Sequence, residues 1–292
     1  LPSILKYNNT PVKLNIIHPD QISGDGYFTL FKAETFDKQV LITGSFVNKN
    51  SSVSAFVGII DSLNSIKWIK TYRPGQASYF GVLGKQASDG YVIALQAKYQ
   101  KSQSVILMLL DNNGNLKTSK ELNTSCAPRI LLFDDVNFTI LLACKGKEFS
   151  AFPASYDSLG VYLFDAGLSI LWEKYFWFDG HLANIIKSNN QIYIFGSFNE
   201  LQNTDNTFLT LENGLSNTFL NILNMDGSSV QTITYPQSFS YYPLKINKVN
   251  SNFIDIIALR EIKPPNTLDI EKSAMKYLYL ILNNQGNVTF HH

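Results

Sequence analysis

One unit recurs along this chain: an apolar run, a short polar turn, then a second strand-like run. Its first copy reads Ala55-Phe56-Val57-Gly58-Ile59-Ile60, then a turn from Asp61 to Ser65, then Ile66-Lys67-Trp68-Ile69-Lys70-Thr71-Tyr72. The turn opens again at Asp111, Asp165, Asn224 and Asn283, giving spacings of 50, 54, 59 and 59 residues. Each turn carries Asp or Asn and most carry Gly, residue types that tolerate the left-handed backbone of a tight hairpin. β-Branched and aromatic runs dominate between the turns, whereas a helical 3.6-residue period is weak. A repeat of this kind confines the chain to a succession of hairpins.

A second hairpin precedes each of these. Its later strand covers 40–45, 91–95, 139–144, 192–197 and 254–259, and a small residue returns in it: Gly44, Ala94, Ala143, Gly196 and Ala258. Four strands in 50 to 60 residues match a propeller blade, whose crowded centre favours small side chains. A β-sandwich predicts no such period. The expected fold is therefore all-β, a single β-propeller of about five four-stranded blades over residues 1–292. The repeats run approximately over 19–74, 78–124, 128–180, 181–238 and 240–290. Residues 1–18 hold a further hairpin-like pattern around Asn8-Asn9-Thr10. They are expected to add strand to the last blade and close the ring, because an open ring leaves an unpaired edge.

The turn Leu110-Asp111-Asn112-Asn113-Gly114-Asn115, with the strands Trp68-Ile69-Lys70-Thr71-Tyr72 and Trp172-Glu173-Lys174-Tyr175, resembles the degenerate propeller repeats of secreted and cell-surface proteins. The resemblance spans residues 19–290, and the second, fourth and fifth repeats depart from it by lacking the Trp. It implies the propeller fold and an extracellular or cell-surface setting. It carries over no active site.

Charged residues make up 16% of the chain, against about 25% in an average soluble domain. A net charge of +1 without a Lys/Arg cluster argues against nucleic acid as a partner. The longest apolar runs, such as Val105 to Leu110, fall far short of the ~20 residues of a spanning helix. The chain opens at Leu1 rather than Met, which predicts removal of an upstream segment. Asn-x-Ser/Thr sequons at Asn8, Asn50, Asn123, Asn137 and Asn287 mark a glycoprotein only weakly, since about four arise by chance in so Asn-rich a chain.

The two cysteines are placed more tellingly. With the turn near Asp134-Asp135-Val136, Phe133 opposes Asn137, and the same antiparallel register sets Cys126 opposite Cys144. Opposed Cα atoms lie about 4.5 or 5.5 Å apart, within disulfide reach. A bridge there implies an oxidising compartment. A one-residue slip would send the thiols to opposite faces.

In a propeller blade, strands A to D run outward from the centre, and the B–C loops share a face with the D-to-A connections. Here the B–C loops are the unequal ones: 47–53, 97–104, 145–160, 198–217 and 260–274. Aromatics crowd the neighbouring connections. Tyr79, Trp177, His181, Tyr242 and Arg260 are the expected ligand-binding residues on that face, since amphipathic rings with few charges suit sugar or protein surfaces. The expected function is a monomeric, secreted or surface-displayed module that binds a glycan, a protein or a cell-envelope partner. One alternative is a glycan-active enzyme using a pair among Asp179, Glu200, Asp205 and Glu212. Another is an architectural module of a longer surface protein. Asp111-x-Asn113-x-Asn115 lacks the length and final Glu of a calcium loop, no metal spacing is present, and no cofactor motif was found.

Overall fold

The computed structural model describes residues 6–7, 10–11, 26–50, 52–63, 65–72, 77–100, 102–122, 127–146, 157–188, 190–202, 208–210, 217–235, 241–249, 253–262, 274–283 and 288–291. Among them there is no helix, and so none long and apolar enough to cross a membrane. The chain divides into two compact units, residues 1–139 with 166–168, and residues 140–165 with 169–292.

In the first unit, β1 (Lys6–Tyr7) and β2 (Thr10–Pro11) pair with each other in a two-stranded sheet of their own. The expected joining of 1–18 to the last blade is thus absent from the pairing of the described residues. Next, β3 (Gly26–Phe36), β4 (Gln39–Asn48), β5 (Val53–Ile60) and β6 (Ile66–Tyr72) form a four-stranded antiparallel meander in sequence order. A second follows with β7 (Ser78–Ala87), β8 (Gly90–Lys98), β9 (Gln103–Leu110) and β10 (Leu116–Leu122). Strand β11 (Ala127–Asp134) packs on β7, β8 and β9, just as β7 packs on β3, β4 and β5.

In the second unit, β12 (Thr139–Gly146), β13 (Asp157–Phe164) and β14 (Ile170–Ser188) pair in order. The 19-residue β14 serves twice: 170–178 pairs with β13, and 178–188 pairs with β15 (Gln191–Gln202). The short β16 (Phe208–Thr210) hangs on β15, which also pairs with β17 (Asn217–Asn224), followed by β18 (Ser229–Tyr235). The last meander is β19 (Tyr241–Val249), β20 (Phe253–Ile262), β21 (Ala274–Asn283) and β22 (Val288–His291). Again the first strand, β19, packs on the sheet before it, against β14, β15 and β17.

Two irregularities recur with the repeat. The first strand of a meander slips register by one residue at Phe31, Val82, Ala183 and Leu244, beside the small residues Gly44, Ala94, Gly196 and Ala258. A bulge bends its strand toward the neighbour. At Gly44 the approach is so close that a Cβ would fall 2.0 Å from the carbonyl oxygen of Thr29. The small-residue column is therefore the sequence trace of the bulge. A second slip falls near the start of the strand after each of the repeated turn positions, at Lys67, Lys117, Leu171, Val230 and Thr289. The turns themselves match: the amide of Asp61, Asp111, Asp165 and Asn224 donates to the carbonyl four residues on, at 2.9–3.0 Å.

Alternating apolar residues of the facing strands make the cores. In the first unit Leu41, Ala55, Val57 and Ile59 meet Tyr91, Ile93, Leu95, Ile106, Met108 and Leu110. In the second, Tyr193, Phe195, Leu220 and Ile222 meet Ile254 and Ile256. Each Val, Leu, Ile, Phe or Met among them contributes about 1.5–3 kcal/mol by leaving water.

Candidate binding surface

The two ends of these meanders differ in kind, and one of them is occupied by packing. The Trp68 indole Nε1–H donates to Asn112 O at 2.9 Å in the turn of the next meander. Lys70 Nζ reaches Asn115 Oδ1 at 2.5 Å, and the Tyr72 hydroxyl donates to Gly114 O at 2.6 Å. Gly114 has φ 75°, the left-handed region, and a Cβ there would lie 2.7 Å from the Trp68 ring. The pattern returns in the second unit. Trp172 Nε1–H donates to Met225 O at 2.7 Å, Lys174 Nζ to Gly227 O at 3.2 Å and Ser229 Oγ at 2.5 Å, and Gly227 (φ 82°) lies under the Trp172 ring. The two motifs of the repeat are halves of one clasp. This end is committed to holding sheet to sheet.

The other end carries the connections between second and third strands. In the first unit these are four-residue turns, 49–52 and 99–102, closed by Asn48 N–H to Ser52 O at 3.1 Å and Tyr99 N–H to Ser102 O at 2.9 Å. They are shorter than the sequence suggested. The corresponding connections of the second unit, 147–156, 203–216 and 263–273, are longer, and apart from β16 they lie outside the described residues.

Near this end of the first unit an aromatic cluster reaches solvent. Phe31 is 49% exposed and Tyr27 82% exposed, both on β3. The Phe31 ring meets Phe80 of β7 edge-on at 6.2 Å, and Lys98 Nζ stands 5.2 Å over the Phe80 ring. Beside them Gln96 Nε2 donates to Gln103 Oε1 at 2.7 Å. On the same sheet, Tyr99 and Ser104 both donate to Glu121 Oε1, at 2.8 and 2.5 Å. That bond to the carboxylate, helped by burial, pushes the Tyr99 phenol up to about 12. The two rings, with the Lys98 cation and the neutral amide pair on the same face, form a surface for a polar, ring-bearing or extended ligand, whereas register sets Ser104 and Glu121 on the opposite, Tyr79-bearing face of that sheet.

Of the five residues expected here, Tyr79 is 1% exposed and belongs to the core of the first unit. Its neighbour Phe80 takes the outward position, because alternate residues of a strand point to opposite faces. Backbone register sets Trp177 opposite Ser158 and His181 opposite Ser197 on β14. It sets Tyr242 opposite Leu259 and Arg260 opposite Tyr241. These four positions lie toward the connection-bearing end of their strands; their side chains are outside the described part. So is Cys126, while Cys144 is fully buried on β12. Phe31, Phe80 and Lys98 escaped the sequence reading. The bulge at Phe31, signalled only by Gly44 opposite, is what turns that ring outward.

No protein-family model matches the chain, and no curated protein matches it. Among solved structures it is similar to Kuenenia stuttgartiensis hydrazine synthase, at 13% identity and a TM-score of 0.47, covering 86% of this chain and 62% of that one. A mutant of the Synechocystis apocarotenoid oxygenase matches at 10% identity and 0.47, over 91% of this chain and 60% of the other. The WD40 domain of SCAP from fission yeast matches at 9% identity and 0.37, over 92% and 64%. The chain thus spans under two thirds of these proteins, and scores this low carry neither fold nor chemistry from them.

Proposed function

We propose that this chain is a five-bladed β-propeller acting as a binding module, secreted or displayed on a cell surface, for a glycan, a protein or a cell-envelope partner. What carries this reading is the division of labour between the two ends. In the first unit one end of the meanders holds the Trp68 clasp and the other presents the exposed Phe31–Phe80–Lys98 cluster; in the second unit the Trp172 clasp lies at one end and the long connections at the other. Ring closure by the last meander belongs to the proposal. Retention on a glycan array or on intact envelopes, lost in Phe31→Ala/Phe80→Ala without loss of folding, tests the reading. Retention that survives those substitutions removes this surface from it.

The oxidising compartment is proposed with the Cys126–Cys144 bridge. Intact mass before and after reduction with alkylation checks it: two thiols freely alkylated in the native, unreduced protein count against both.

One observation favours a second reading, cleavage of a glycan. Register sets Asp179 directly opposite Glu200. Opposed Cα atoms lie about 4.5–5.5 Å apart, and a carboxyl pair at close range is what glycoside hydrolysis requires. Released reducing sugar, abolished in Glu200→Gln, would favour that reading; binding without turnover would favour the first.

A further inference from the structure

We propose that Asn113–Gly114 is a self-modifying site, a latent succinimide-forming dipeptide that the Trp68 clasp holds closed. Asn113 is exposed, and its side chain stands one residue ahead of the amide nitrogen of Gly114. Attack by that nitrogen on the Asn113 carboxamide carbon forms a five-membered imide. The new C–N bond replaces the bond to the side-chain nitrogen, which leaves as ammonia with the glycine amide proton. Water then opens either imide C–N bond, giving aspartate or isoaspartate. No co-reactant but water is needed.

The closed turn withholds the nucleophile of this step and fixes the backbone on both sides of it. The Gly114 N–H is donated to Asp111 O at 3.0 Å, so the nucleophile is occupied. Its carbonyl accepts from Tyr72, its Cα lies under the indole of Trp68, and φ is fixed at 75°. Asp111 Oδ1 further pins the Asn113 amide at 2.8 Å. Reaction therefore requires the turn to lift away from Trp68. Once isoaspartate has formed, its extra backbone carbon and new charge beside Asp111 prevent the turn from closing under the ring again.

The second clasp offers an internal contrast. Its turn carries Asp226–Gly227 in the equivalent place, with Gly227 N–H donated to Asn224 O at 3.0 Å. Imide formation there must expel water from a protonated carboxyl. Asp226 instead accepts from the Ser228 hydroxyl and amide at 2.6 and 2.8 Å, and those bonds hold its carboxyl below the usual carboxylate range. Asn113 is the reactive member of the pair.

The test incubates the full chain at mildly alkaline pH and maps the peptides by mass and by isoaspartate content. Asn113 should gain about one mass unit slowly in the wild type and roughly tenfold or more faster in Trp68→Ala, with Asn113→Gln silent. Trp172→Ala opens the other clasp and serves as the control for general loosening, and it should leave the Asn113 rate unchanged. Equal rates in wild type and Trp68→Ala would overturn the proposal. So would equal acceleration by Trp172→Ala, which would mean global unfolding rather than the local joint sets the rate.

Discussion

The clasp around Gly114 and the clasp around Gly227 share an indole over a left-handed glycine but satisfy that glycine's carbonyl differently. At Gly114 the donor is the Tyr72 phenol, and Lys70 goes instead to the Asn115 side chain. At Gly227 the donor is Lys174 itself, and the residue two places on is the buried Phe176, whose ring centroid lies 5.9 Å from the lysine ammonium. Burial holds the Lys174 ammonium below the usual lysine range, opposed by the charge of Asp226. What the two joints cannot exchange is the ring and the glycine; what they can exchange is the donor. A half-buried carbonyl needs a partner, and either a phenol or an ammonium within reach will serve.

That contrast orders the expected effects. Trp68→Ala and Trp172→Ala should be costliest, each by about 2–3 kcal/mol in denaturant unfolding, somewhat below the loss for a fully buried ring. Gly114→Ala and Gly227→Ala come next, at about 2 kcal/mol, since a Cβ meets the indole in both and the backbone is left-handed. The donors should separate the two joints. Lys174→Met removes two bonds and Tyr72→Phe one, so about 1–2 against about 1 kcal/mol is expected from the same unfolding curves. Equal losses would mean that the second contact of Lys174 contributes nothing.

The smallest effect should come from pH. The Asn115 amide and carboxamide hold the Asp111 carboxyl below its ordinary value of 3.8. Its folded pKa is depressed, so its contribution is complete above the unfolded value. It is lost as pH falls through the lower folded one. Wild type should therefore lose slightly more stability than Asp111→Asn over that acid window, measured as the difference between their melting temperatures.

The hairpins, their turn starts and the small-residue column were all legible in the sequence, because each depends on local backbone chemistry. Asp111 and Asp165 head turns that close four residues on, where the sequence placed them. The role of Trp68 was not legible. The residue marks its own repeat in the sequence, yet it meets a carbonyl 44 positions later, in the next one. The third turn shows the limit from the other side: Leu168, φ 65° and buried, stands where the clasp turns have glycine, while Thr118 stands where the clasp strands have Trp. Tyr79 failed as a surface residue through parity alone, since a strand's inward set is fixed by packing and a neighbour one place away takes the opposite face. For Trp177, His181, Tyr242 and Arg260, register gives the end of the sheet and no more.

The claim that the indole and the glycine form one joint between successive sheets is tested most directly by a double-mutant cycle at Trp68 and Gly114. Unfolding free energies of wild type, Gly114→Ala, Trp68→Ala and the double variant suffice. Gly114→Ala should cost about 2 kcal/mol beside the intact ring but only about 1 kcal/mol, the backbone share, once the ring is gone. Costs that add within about 0.3 kcal/mol would show that ring and glycine act independently, and would contradict the clasp.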